Sequence, residues 1–319
     1  MSGPLPPSDN LLVPWLPFLD PLRLRQVTVD PRLLDWRRDT VPVFPSVRTL
    51  SLELAGERNN AENLLALSTK FPAAQSLTLY SFQQISEPLI AACGSLLHRA
   101  TTLCVPFDAL RFCLPRTKNL ATLNVGRSPT ASELIHQLKN NKFPSITTLV
   151  CGLDAQPGSP GPTDFAAILG AFPQLRHLRM RITNNTLPRA NDILYGRASI
   201  RLLESLLSTS PVIFPQSITT IVMSVFRLPS SRDADPIPLL SEAEAERRGR
   251  LPDAATIRDS IIERHPALTS LWIQVRSILI VWRRRPSDGL VTKSICTEDP
   301  EDVRGRNPAP FVFWESRED

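Results

Sequence analysis

Residues 172–182 read FPQLRHLRMRI. Leu178, Met180 and Ile182 alternate with His177, Arg179 and Arg181, which is the period-two pattern of a strand with one face buried. The same reading recurs in FPSVRTLSLEL from Phe44, FPAAQSLTLY from Phe71, FPSITTLVCGL from Phe143, FPQSITTIVMSV from Phe214 and HPALTSLWIQV from His265. LHRATTLCV from Leu97 and RTKNLATLNV from Arg116 share it without the Phe-Pro opening, and FLDPLRLRQV from Phe18 is a weaker copy. Proline at the start fits the first residue of a strand, where no ladder donor is needed.

The second apolar position of each segment serves as an anchor: Leu22, Leu50, Leu77, Leu103, Leu123, Leu149, Leu178, Ile221 and Leu271. Most of the early anchors lie 26 to 29 residues apart, and the last two intervals, of 43 and 50, imply insertions. Between anchors lie helical stretches at 61–69, 163–169, 199–207 and 253–262. Another, at 130–139, opens with Thr130 and Glu133 at capping-box spacing. A strand-loop-helix unit cannot bury its apolar face alone, but stacked units bury a common one. The fold class expected is α/β, a solenoid with parallel strands on the concave face and helices on the convex face. It occupies residues 16–283, with insertions at 183–198 and 227–256. Residues 1–15 read as an irregular proline-rich start, and 284–319 as a tail or a cap in which Phe311, Phe313 and Trp314 fold back.

Composition excludes several classes. The chain of 319 residues has 42% hydrophobic and 21% charged residues, so it can bury a large core. No apolar run approaches the roughly 18 residues of a membrane helix. No secretory signal is visible, so a cytoplasmic or nuclear location is expected. Net charge is +5, and only five of the 36 basic residues are lysine. The basic stretches at 247–250 and 282–285 read as solvated turns. Cys93, Cys104, Cys113, Cys151 and Cys296 form no CxxC pair, so free thiols are expected and a cysteine zinc site is not. The four histidines make no HxxxH pair, and no phosphate loop or nucleophile elbow is present. The expectation is a chain that is not an enzyme and takes no cofactor and no metal.

The spacing and the strand motif resemble the leucine-rich-repeat proteins, and most closely the divergent fungal ones associated with F-box domains. The asparagine that usually follows the strand is mostly replaced here, by Ala55 after Leu54 and Tyr80 after Leu79. An F-box spans some 40 to 50 residues in that family, and about fifteen precede the first strand, so none is expected. The resemblance implies a protein-interaction role, with substrate recognition in a ubiquitin-ligase assembly, through an adaptor, as one alternative.

The concave face is the candidate site. The residue before each anchor from Leu50 on is Thr49, Ser76, Thr102, Thr122, Thr148, His177, Thr220 or Ser270, a nearly continuous hydroxyl row. Larger groups stand out against it: Tyr80, His177, Arg179, Arg181, Trp272, Gln274 and Arg276, with Arg23 and Arg25 at the N-terminal end. Aromatic and arginine side chains dominate interface energetics, so this set is the expected contact surface for an unknown protein partner. A nucleic-acid partner is the second alternative, and a membrane is not expected.

Overall fold

The structure is a computed structural model describing residues 19–54, 61–81, 85–139, 141–156, 160–184, 191–208, 214–227, 248–275 and 278–298. The chain divides into two compact units between Gly126 and Arg127. The first holds strands β1 (Gln26–Val29), β2 (Thr49–Glu53), β3 (Ser76–Tyr80), β4 (Thr102–Pro106) and β5 (Thr122–Gly126). Its helices are α1 (Ala61–Lys70), α2 (Glu87–Ala92), α3 (Gly94–Arg99) and α4 (Leu110–Cys113). The second holds β6 (Thr148–Asp154), β7 (His177–Asn184), β8 (Thr220–Arg227), β9 (Ser270–Val275), β10 (Ile278–Arg284) and β11 (Val291–Thr297). Its helices are α5 (Ala131–Leu138), α6 (Pro162–Gly170), α7 (Asn191–Leu207) and α8 (Ala254–Arg264).

Both units are mixed α/β, with strands in sequence order and no barrel closure among the described residues. β1 to β5 are parallel throughout. β6 to β9 are parallel too, and β10 and β11 add an antiparallel hairpin. Parallel pairing requires a crossover after each strand, which is where the helices fall.

Register follows the anchors. Leu50, Leu77, Leu103 and Leu123 are successive partners in the first unit. Leu149, Leu178, Ile221 and Leu271 are successive partners in the second. Every one of these eight is at most 2% exposed. The N-terminal copy differs: Val27, not Leu22, pairs with Leu50, and Leu22 is 68% exposed. Asp20 caps a turn there, accepting from the Leu22 amide at 2.9 Å, so the strand cannot begin until Gln26.

The Phe-Pro pair sits one step earlier than the sequence suggested. Phe44, Phe71, Phe143, Phe172 and His265 each offer their carbonyl to the amide three residues on, at 2.9 to 3.3 Å. Proline is therefore the second residue of a β-turn, where its fixed φ is preorganised, and the strand starts beyond it. In the Phe214 segment one extra residue moves the turn to Pro215, which accepts from Ile218. The rings align between neighbours: Phe44 on Phe71 at 5.4 Å, Phe143 on Phe172 at 5.9 Å, and Phe214 edge-on to His265 at 5.6 Å.

A second repeated contact precedes β2 to β5 and β7 to β9. The carbonyl of Arg25 accepts from the amides of both Arg48 and Thr49. Those of Arg48, Gln75 and Thr101 do the same in the first unit, and those of Thr147, Arg176 and Thr219 in the second. One backbone oxygen thus clamps the start of the following strand and sets its register.

Helices cover the leucine face. α7 lies on β7 and β8, and α8 on β10 and β11. α5 begins with the expected capping box: the Thr130 hydroxyl accepts from the Glu133 amide at 3.3 Å, and the Thr130 amide donates to the Glu133 carboxylate at 2.8 Å. Basic side chains tie the helix ends to neighbouring chain. Arg99 donates to the carbonyls of Ser68 and Phe71 at 3.0 and 3.4 Å. Buried Lys70 donates to Val41 and Arg38 at 2.6 and 3.1 Å. Arg264 reaches the Ser208 carbonyl at 2.8 Å and that of Leu206. Cations at C-terminal carbonyls also complement the helix dipole.

Leu149→Ala removes an anchor that has no room to be replaced by solvent. A loss of about 2–5 kcal/mol is expected from chemical denaturation. A loss below about 0.5 kcal/mol would show that this leucine is not core.

His265 occupies the phenylalanine position and is 3% exposed. Burial, and then the Arg264 charge, hold its imidazole below the ordinary value of 6.5. The unfolded chain therefore takes up a proton that the folded chain refuses. This contribution to stability is complete above the unfolded pKa and is lost as pH falls below about 6.5. His265→Phe should accordingly become more stable relative to the parent as pH is lowered from 7.5 to 5.5 in thermal melts. A difference in Tm that stays constant across that range would refute the assignment.

Candidate functional site

The sheet face opposite the helices, here the outer face, presents the residues that alternate with the leucines. In the first unit the hydroxyl row is real: Thr49, Ser76, Thr102 and Thr122 are successive partners. The next row is Ser51, Thr78, Cys104 and Asn124. Tyr80, at the end of β3, is 53% exposed beside Glu53. Apart from that glutamate, β2 to β5 place no charged side chain on this face.

In the second unit Thr148, His177, Thr220 and Ser270 form the corresponding row. His177 Nδ1 lies 3.1 Å from the Thr220 hydroxyl. Burial and the neighbouring Arg176 charge lower its pKa, so the ring is neutral at pH 7. Arg179 is half-buried and Arg181 exposed. Arg179 stands between Val150 and Val222, and Arg181 between Gly152 and Ser224. A Cβ on Gly152 would meet the Ser128 hydroxyl at 2.5 Å, so this position has no room for a side chain.

Beyond β7 the face changes character. Trp272 is not an exposed anchor: it is 3% exposed and clusters with buried Val222, Leu279 and Val281, with Ile295 against them. The cause is the hairpin, whose antiparallel register sets Val281 beside Trp272 and Leu279 beside Gln274. Trp272 thus belongs to a second apolar core on the outer side. Gln274 is half-buried next to it. Arg276 lies outside the described residues, as do the proline-rich start, most of the 227–256 insertion, and Phe311, Phe313 and Trp314. Arg23 sits in the exposed turn before β1, bonded to Asp20 at 3.2 Å, and Arg25 supplies the first clamping carbonyl. Of the seven candidate residues, Tyr80 stands in one unit and His177, Arg179 and Arg181 come together on one strand of the other.

The basic stretch at 282–285 is partly structural. Arg284 donates to the Pro266 carbonyl, and Arg285 pairs with Asp288 at 2.9 Å inside the hairpin turn. Sequence reading missed this hairpin, although Asp288-Gly289 was its signal.

All five cysteines are free. Burial pushes the Cys93 and Cys151 thiols up to about 12, and that of Cys113 up as well, which suppresses thiolate chemistry. Among the described residues no group of three His, Cys, Asp or Glu side chains could hold a metal ion. Nor, among them, is any helix long and apolar enough to cross a membrane.

Thr78→Val tests whether the outer hydroxyls are structural. Among the described residues its hydroxyl makes no hydrogen bond, and it is only half-buried, so a Tm change within about 2 °C is expected, equivalent to less than about 0.5 kcal/mol. A large loss would make the row part of the scaffold and not a surface.

No protein-family model matches this sequence, and it matches no curated protein.

Proposed function

We propose that the chain is a leucine-rich-repeat-like solenoid acting as a protein-interaction module. In this reading the outer sheet face is the concave one, and it receives the partner. The repeated turn, clamp and anchor support the architecture: the same three contacts recur in unit after unit, as expected of stacked repeats. The observation that carries the functional reading is the first unit's outer face. Its half-buried hydroxyls and exposed Tyr80 are held in register on strands packed from behind. Such a face combines adaptable hydrogen bonding with one aromatic anchor, and among the described residues no helix covers it. In this role the module binds and does no chemistry, and takes no cofactor.

The reading is tested by capturing proteins with the tagged full chain and with two variants. Thr78→Arg with Tyr80→Ala alters the outer face. Leu65→Arg alters the exposed side of α1, where Leu65 is 51% exposed. The outer-face variant should lose the captured protein and the helix variant should retain it, both with unchanged melting temperature. The opposite pattern would place recognition on the helices and overturn the reading.

A further inference from the structure

Along β2 to β5 the outward side chains are small, uncharged and at least partly buried, except at the ends of β2 and β3. There Glu53 and Tyr80 are register partners, so both side chains rise from one face on strands roughly 4.8 Å apart. Glu53 is the one charged outward residue of β2 to β5, and Tyr80 the one exposed outward residue. Departures from a fold's own local rule are where function is expected.

The backbone holds this pair in place. The Leu54 amide donates to the Tyr80 carbonyl at 2.7 Å and ties the end of β2 to the end of β3. The side chains are left open. Among the described residues the Tyr80 hydroxyl makes no hydrogen bond, and its ring meets no other ring and no cation. Among them, too, the Glu53 carboxylate makes no hydrogen bond and no ion pair. Arg32 attracts Glu53 through space, but its guanidinium is closed on Asp30 at 2.9 Å. Elsewhere the fold fills aromatic faces itself: Arg111 lies over Phe112 at 4.5 Å and Arg284 over Trp282 at 5.6 Å. A tyrosine can serve a strand by packing on its neighbours, but this ring is 53% exposed.

We infer that Glu53 and Tyr80 form a subsite for an arginine side chain of the protein partner, its guanidinium stacked on the ring and turned toward the carboxylate. This rests on the interaction-module reading and adds the partner's chemistry to it. Arginine stacks on aromatic faces and forks onto carboxylates, and one planar group does both where ring and carboxylate stand side by side. Charge agrees. The outward residues of β2 to β5 carry one negative charge and no positive one, which attracts a cation and repels an acidic segment or a phosphate chain. Thr78, two residues back on β3, offers its hydroxyl to polar atoms flanking that arginine.

The experiment is saturation-transfer NMR with the full chain and three short Ser-Gly peptides, which carry arginine, citrulline or glutamate at the centre. Citrulline keeps the shape of arginine and removes its charge. The arginine peptide should bind, with the strongest transfer at its arginine side chain, and the other two should bind at least about fivefold more weakly. Glu53→Gln and Tyr80→Leu should each weaken the arginine peptide about two- to fivefold. Tyr80→Phe, which keeps the ring, should stay within about 1.5-fold. Equal binding of the citrulline peptide, or unchanged binding of the arginine peptide in Glu53→Gln with Tyr80→Leu, would overturn the inference. So would a loss in Tyr80→Phe as large as that in Tyr80→Leu. The peptide comparison uses the unaltered chain, so it decides even where a variant fails to fold. A protein lost by Thr78→Arg with Tyr80→Ala but captured with full affinity by Glu53→Gln would overturn the inference too, while leaving the interaction-module reading standing. Capture retained by that outer-face variant is the separate failure of the interaction-module reading.

Discussion

Each strand's leucines are hidden only because the next strand's leucines lie beside them in register. Leu50 is sealed on one side by Leu77, and Leu77 by Leu103, in a chain of pairings that no single unit can close. The clamp carbonyls enforce this alignment before side chains take part. One oxygen, such as that of Gln75, accepts from both Thr101 and Thr102, so the following strand cannot slip by a residue. Slippage would turn every leucine outward. The same constraint fixes the outer face, because a position next to an anchor always points away from it. The outward side chains of these strands are therefore placed by backbone bonding and not by loops.

Charge is divided along similar lines. On the helix side, Arg99 and Arg264 satisfy carbonyls that helix ends leave open, and Lys70 does the same for the turn carbonyls of Arg38 and Val41. Such contacts bind one repeat to a neighbouring segment without a carboxylate partner. Removing one leaves buried acceptors unsatisfied, which costs more than the bond contributes. Arginine abundance is thus in part a packing device.

The anchors and the hydroxyl row were legible because burial imposes a strict period on sequence. Even the capping box at Thr130 and Glu133 could be read, since two side chains and two amides define it locally. What escaped was set by longer-range geometry. Leu22 and Val27 fit the strand pattern equally well, and the turn held by Asp20 decides between them. The Phe-Pro pair was assigned to the strand because proline is tolerated at a strand start. The bond from the Phe172 carbonyl to Leu175 makes it a turn instead. The short helices α2, α3 and α4 span at most six residues each, too few for a periodic signal to rise above chance. Trp272 has the right parity for the outer face, but parity says nothing about what lies above that face.

The Trp272 cluster also limits where a partner can touch the second unit. Once Val222, Trp272, Leu279 and Val281 are out of water, the centre of β8 to β10 offers no contact area. What remains open is β6, β7 and the row of Thr220 and Ser270. A partner confined to so narrow a strip gains little from apolar burial there, because Val150 is small and Gly152 has no side chain. Specific attraction must then come from polar and charged groups, and the strip's charged groups are the arginines of β7 with Asp154 at its margin. The apolar cluster thus takes the tryptophan off the surface of the second unit and leaves a strip whose side chains are mostly small, polar or charged.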